Sequence, residues 1–191
     1  MTYIIILNYN GYLDTTDCIQ SIFASDNANF KIILIDNCSS DNSIKYFKIF
    51  FQKRNINYTH KIDNFKNKKD VLLVCEKENG GYARGNNIGL SIAKKQNDCK
   101  YMWILNNDTI LLKNTLNKMV VSANNNKKNI IWGNKVLYED GRIQSIGGKL
   151  NEKFLYTRHN FMGDIDNKNK KYIKRIDYIP GCSVFFHTSL I

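Results

Sequence analysis

A chain of 191 residues with 43% hydrophobic composition is long enough for one globular domain with a real core. Lys and Arg exceed Asp and Glu by 28 to 17, a formal charge of +11, and a positive field of that size favours nucleic acid, an anionic membrane surface or an acidic substrate. No apolar run approaches the roughly 20 residues that span a bilayer, no charged-then-apolar leader opens the chain, and the five cysteines (Cys18, Cys38, Cys75, Cys99, Cys182) contain no C-x-x-C pair, which argues against a disulfide framework or a zinc site.

The chain is therefore expected to be cytoplasmic, with reduced thiols in its core. Lys, Asn and Ile are abundant throughout, so much of the charge reads as a solvated basic surface, with local density at Lys53–Lys69 and Lys168–Arg175. Short runs of Ile, Leu and Val alternate with stretches of helical period, and this predicts an α/β fold whose mostly parallel, Rossmann-like sheet is covered on both faces. The first strand is Tyr3–Leu7. The helix after it carries Cys18, Ile19, Ile22 and Phe23 on one face and ends near Ser25-Asp26-Asn27. A second strand, Lys31–Ile35, leads to Ser39, Ser40 and Asp41 as N-cap candidates for a helix striped by Ile44, Phe47, Phe50 and Phe51. Lys53–Asp70 has little periodicity and much Lys, and is expected to be a mobile, exposed loop that attracts anionic lipid. Val71–Cys75 is the third strand. Tyr82–Gln96 is a helix with Ile88, Ile92 and Ala93 to pack, Tyr101–Leu105 the fourth strand, and Asn114–Ala123 a helix presenting Leu116, Met119, Val120 and Ala123. After a polar linker at Asn124–Asn129, the runs Ile130–Tyr138, Arg142–Gly148 and Tyr178–His187 read as strands of a second, more antiparallel half.

Ligands of open α/β sheets bind outside the carboxyl ends of the strands. Three polar clusters end apolar runs at that edge: Asn8-Tyr9-Asn10-Gly11, Asp36 through Asp41, and Asn106-Asn107-Asp108. Each alone could be a turn former or cap; together they suggest one crevice. Asn79–Gly89 contains Gly80, Gly81, Gly85 and Gly89, read as letting backbone approach a ligand, though it is neither a dinucleotide fingerprint nor a Walker loop. Arg84 reads either as a bidentate diphosphate partner or as a surface residue.

The segments Ile4–Gly11, Ile33–Asp41, Asn79–Gly89 and Trp103–Thr109, in this order and spacing, resemble the inverting family 2 glycosyltransferases with the GT-A fold, and most of all the bacterial rhamnosyltransferase-like branch of surface polysaccharide assembly. The resemblance continues through Asp177–Phe186, which looks like the strand of the acceptor-side wall. It implies that Leu7, Asn8 and Tyr9 border the nucleoside base, that Asp36 and Asn37 bond its polar edge, and that Gly81, Arg84 and Asn86 belong to the same donor site. Asn107 would lie near the ribose, and Asp108 would hold Mg²⁺ or Mn²⁺ against the diphosphate. Asn106 and Asn107 stand where many members have Asp, leaving one carboxylate, and one carboxylate with phosphate oxygens suits Mg²⁺.

On this resemblance residues 1–125 form a nucleotide-sugar-binding half, and 126–191 the start of an acceptor-binding half of one domain. The family's general base follows the Gly181–Phe186 strand in an acidic stretch. The chain stops at Ile191 before one, so the base is expected beyond Ile191 and the chain is expected to be truncated; Asp177 does not match the motif position. The expected partners are a UDP or dTDP sugar, a glycan or lipid-linked acceptor and, peripherally, the anionic inner membrane face. No nucleic acid is expected, because no RNP-like motif or zinc knuckle occurs. The alternative is a non-catalytic nucleotide-sugar-binding module. A nucleotidyltransferase would need a basic Gly-rich loop directly after the first strand, which Asn8–Gly11 does not supply.

Overall fold

The computed structural model describes residues 1–25, 29–126, 131–154, 156–167 and 176–191. The expected helix end at Asp26-Asn27, linker residues 127–129, Ile130 and the basic run Lys168–Arg175 lie outside the described residues.

β-Branched and aromatic runs form strands β1 (Thr2–Asn8), β2 (Phe30–Asp36), β3 (Tyr58–Thr59), β4 (Val71–Cys75) and β5 (Tyr101–Asn106), and helices α1 (Tyr12–Ser25), α2 (Ser43–Lys53), α3 (Gly81–Lys94) and α4 (Thr115–Asn125) lie between and after them. β6 (Ile131–Gly133) follows. Two hairpins come next, β7 (Val136–Leu137) with β8 (Ile143–Ser145) and β9 (Gly148–Asn151) with β10 (Tyr156–His159), and β11 (Ser183–His187) closes the chain's strands. The main sheet runs β3-β4-β2-β1-β5-β11-β6. Its first five strands are parallel, and β11 is antiparallel to both β5 and β6.

Because strand side chains alternate between faces, the central strands feed two cores. Ile4, Ile6, Ile32, Leu34, Trp103 and Leu105 pack on one face with Cys18, Ile19 and Ile22 of α1, Phe47 and Phe51 of α2, and Leu116 and Met119 of α4. Tyr3, Ile5, Ile33, Ile35 and Met102 pack on the other with Phe65 and Ala93. This double burial is why β1 and β2 read as unbroken apolar runs.

Several expectations change. Lys53–Asp70 is not an unanchored loop. It holds the edge strand β3 and a 3₁₀ turn, and it buries Phe65 to 1% exposure and Asp70 to 2%. Asp70 accepts hydrogen bonds from Asn57 Nδ2 at 2.6 Å and Asn67 N at 2.8 Å. Its few anchors are too far apart to make a period. Of the N-cap candidates, only Asp41 bonds the start of α2, accepting from Ser43 N at 3.0 Å; the cap residue itself is Asn42, in the left-handed region at φ 63°. The predicted strand Ile130–Tyr138 is split, with β6 in the main sheet and β7 in a hairpin. Arg142–Gly148 divides between β8 and β9, and Tyr178–His187 shortens to β11. Cys38 and Cys75 are exposed rather than core thiols.

Candidate active site

Parallel pairing puts the carboxyl ends of β1, β2 and β5 side by side, with Asn8 opposite Asp36 and Leu7 opposite Asn106. The three polar clusters thus lie on one edge, as expected. The centre of that edge is a hydrogen-bonded network. Asp36, 2% exposed, accepts from Asn8 Nδ2 at 2.7 Å, Ser39 Oγ at 2.6 Å and Ser39 N at 2.9 Å. Asn8, fully buried, accepts in turn from Thr15 Oγ1 at 2.8 Å, and Asn107 Nδ2 donates to the same Thr15 oxygen at 3.0 Å. Burial of a carboxylate demands such donors. With three in place, Asp36 keeps room for about one more, out of the roughly four that a carboxylate accepts.

Asn37 is a clamp for the Gly-rich loop. Its Nδ2 donates to Asn79 Oδ1 at 2.7 Å, and its Oδ1 accepts from Gly80 N at 3.2 Å. Gly81 sits at φ +79° with open space where a Cβ would be, a conformation only glycine takes without strain. Gly85 and Gly89 correct the sequence reading, since both face the sheet and not a ligand. A Cβ on Gly89 would lie 2.5 Å from Ile5 Cγ2, and one on Gly85 would run into Leu7. These glycines let α3 press onto β1 and β2. Leu7 consequently packs beneath α3.

Asn86 is buried and donates to Tyr82 O at 3.0 Å within the helix. Arg84 is exposed and paired with Glu78 in the same loop. The ring of Tyr9 is 51% exposed. It is free to stack on a ligand.

Asp108 is exposed just past β5, and its carboxylate has no hydrogen-bond or ion-pair partner among the described residues. Its charge is nonetheless felt locally. Burial pushes the Cys18 thiol up to about 12, with Thr109 opposing and Asp108 adding to the rise. Burial first, and Asp108 as a lesser contribution, also raise the Cys182 thiol and the Tyr82 phenol. No group of three or more His, Cys, Asp or Glu forms a metal cage among the described residues. A single exposed carboxylate without a partner among the described residues still fits a divalent cation that takes most of its ligands from a diphosphate and water.

Sequence reasoning assigned no site role to Thr15 or Tyr82, and placed Ser39 in the Asp36–Asp41 cluster only as a cap candidate. Thr15 and Ser39 are small hydroxyls with no pattern of their own. Tyr82 could have been suspected, as an aromatic residue opening a glycine-rich helix. Asp177, which does not match the motif position of the base and is given no role, accepts from Leu150 N and Lys149 Nζ, each at 3.0 Å.

A layered, mostly parallel sheet with this loaded carboxyl edge, extended by an antiparallel strand, defines an α/β protein of GT-A architecture. The family model described as glycosyl transferase family 2 matches residues 3–191, and the chain belongs to that family. It is 25% identical over 135 residues to glycosyltransferase GlyG of Streptococcus pneumoniae, covering 71% of this chain and 38% of GlyG. Among solved structures it resembles TarS 1–349 of S. aureus, with TM-score 0.64 and 17% identity over 99% of this chain and 47% of that one. It also resembles the mannosyltransferase PcManGT of Pyrobaculum calidifontis, with TM-score 0.58 and 16% identity over 72% of this chain and 35% of that one. The chain thus spans less than half the length of these relatives. No described helix is long and apolar enough to cross a membrane.

Proposed function

We propose that the chain is the donor-binding part of an inverting glycosyltransferase that takes a UDP or dTDP sugar, with Mg²⁺ or Mn²⁺, and transfers it to a glycan or lipid-linked acceptor in surface polysaccharide assembly. The observation that carries this reading is the alignment of Asn8, Asp36 and Asn106–Asp108 at three adjacent strand ends, with the Asp108 carboxylate exposed and without a hydrogen-bond or ion-pair partner among the described residues. Support by similarity comes from TarS, seen with UDP-GlcNAc, and from PcManGT, seen with GDP-Man and Mn²⁺.

In this reading Tyr9 stacks on the base and the remaining acceptor position of Asp36 takes its N–H. Asn37 and Gly81 hold the loop that flanks the diphosphate. Asp108 binds the cation, which stabilises the charge developing on the departing nucleoside diphosphate. Asn107, held by Thr15, borders the ribose. Inversion further requires a carboxylate to accept the proton of the attacking hydroxyl, and no residue of this chain is assigned that role. Arg84 would have to exchange Glu78 for the diphosphate to serve as its partner. The net charge of +11 suits a cytoplasmic enzyme resting against an anionic membrane face.

A thermal-shift panel of UDP, dTDP, GDP and their sugars, with Mn²⁺ or with EDTA, tests the reading. UDP or dTDP should raise the melting temperature, and more so with Mn²⁺. A panel in which no nucleotide gives a shift would remove the reading.

A further inference from the structure

Tyr82 lies in the first turn of α3, and its side chain reaches out of the helix to two other elements. The hydroxyl is 3.1 Å from Asn106 Oδ1 at the last residue of β5 and 3.0 Å from Gly181 O in the loop that enters β11. The residue is 53% exposed, so apolar burial does little to fix the ring, and the hydroxyl is what ties it down. A phenol has one proton and donates to one of these oxygens at a time. The contact is therefore a weak, reversible tie between the donor side, made of α3 and β5, and the acceptor-side loop. Asp108 follows Asn106 by two residues, just past the end of β5. Beyond the tie the loop is held at its entry into the sheet, where Asn106 N donates to Cys182 O at 2.9 Å and Trp103 Nε1 and Asn134 Nδ2 donate to Ser183 Oγ at 2.9 and 3.0 Å, and upstream by Gly148 N, which donates to Tyr178 O at 3.2 Å. Gly181 itself is exposed.

We infer that Tyr82 is a positioning residue, a clasp that holds the Pro180–Cys182 loop in register with Asn106 and Asp108, and so shapes the space into which the donor's sugar projects beyond its diphosphate. The part of this that concerns the sugar rests on the donor-site reading above; the clasp itself does not. Gly85 and Gly89 set its reach, because the depth at which α3 sits on the sheet places the phenol at the height of the β5 end.

The test is Tyr82→Phe, which keeps the ring and removes the tie. In the unliganded protein, hydrogen exchange of peptides covering 178–184 should quicken about fivefold, the scale of one net hydrogen bond, with β1 and β2 unchanged. Calorimetry with Mn²⁺ should show UDP affinity within about twofold of wild type and UDP-GlcNAc affinity reduced about fivefold. Unchanged exchange at 178–184 overturns the clasp. Equal weakening of UDP and UDP-GlcNAc overturns the positioning role, because general damage to the site moves both. If wild type binds neither probe, the donor-site reading fails, and the exchange result still decides the clasp.

Discussion

Gly89→Ala is expected to destabilise the protein although it replaces a helix-interior glycine with the best helix former. The propensity change alone favours alanine by about 1 kcal/mol. Against it, the new methyl would sit 2.5 Å from Ile5 Cγ2 and 2.8 Å from Ile35 Cδ1, and both isoleucines are fully buried and stiff at their branched carbon. Overpacking of this kind costs about 1–3 kcal/mol, and because the closest contacts are with the branch atoms of the fully buried Ile5 the upper half of that range applies, so the net loss is about 1–2 kcal/mol. In a domain of this size that lowers the melting temperature by about 2–8 °C. Gly85→Ala makes the contrast. Its methyl meets Leu7, which is half-buried and ends in a rotatable tip, so the net effect there is near zero. Urea and thermal unfolding of the two variants, with exposed Ser91→Ala as a control, measure both numbers. Gly89→Ala as stable as wild type would refute the argument that Gly89 seats α3 on the sheet, and Gly85→Ala the more damaging would refute the claim that Leu7 yields where Ile5 and Ile35 do not.

Asp108→Ala should abolish the difference in UDP affinity between Mn²⁺ and EDTA while leaving the fold intact, as read by calorimetry and unfolding; an unchanged difference removes Asp108 from the metal role. Phe65→Ala should cost about 3–5 kcal/mol in urea unfolding, because Phe65 is 1% exposed against Tyr3 and Lys31, whereas a loss below about 1 kcal/mol would restore the unanchored loop. Burial alone would raise the Asp98 carboxyl, but the hydroxyl of Tyr3 and the ammonium of Lys31 hold it below its ordinary value. A depressed carboxylate stabilises above its unfolded pKa of about 3.9 and loses that contribution as pH falls through the lower folded value. Wild type should therefore exceed Asp98→Asn in stability at pH 7 and converge with it below about pH 4, and a gap that persists at pH 2 would contradict this.

Elements with their own period were legible in the sequence. The stripe Ile44, Phe47, Phe50, Phe51 and the runs Ile4–Leu7 and Ile32–Ile35 bury themselves as read, because a repeated apolar spacing admits one face. Lys53–Asp70 was not legible, since its structure rests on one phenylalanine, a two-residue edge strand and the side chain of Asp70, none of which repeats. The edge location of Asn8, Asp36 and Asp108 followed from the order of strands and loops. Their division of labour did not. Asp36 and Asp108 read alike in the sequence, yet the first is buried among three donors, two of them from Ser39, whereas the second is exposed and has no partner among the described residues. The glycines at 85 and 89 misled for a related reason, as the residue type reports a close approach but not what approaches.

The central claim is that this edge holds a nucleoside diphosphate through its base at Tyr9 and Asp36 and its phosphates at Asp108. Two-dimensional NMR of the labelled chain, titrated with UDP and dTDP in the presence of Mg²⁺, tests it most directly. The account predicts saturable shifts confined to amides of residues 7–11, 36–40, 79–86 and 106–109. Shifts centred elsewhere, or none at millimolar nucleotide, would contradict it.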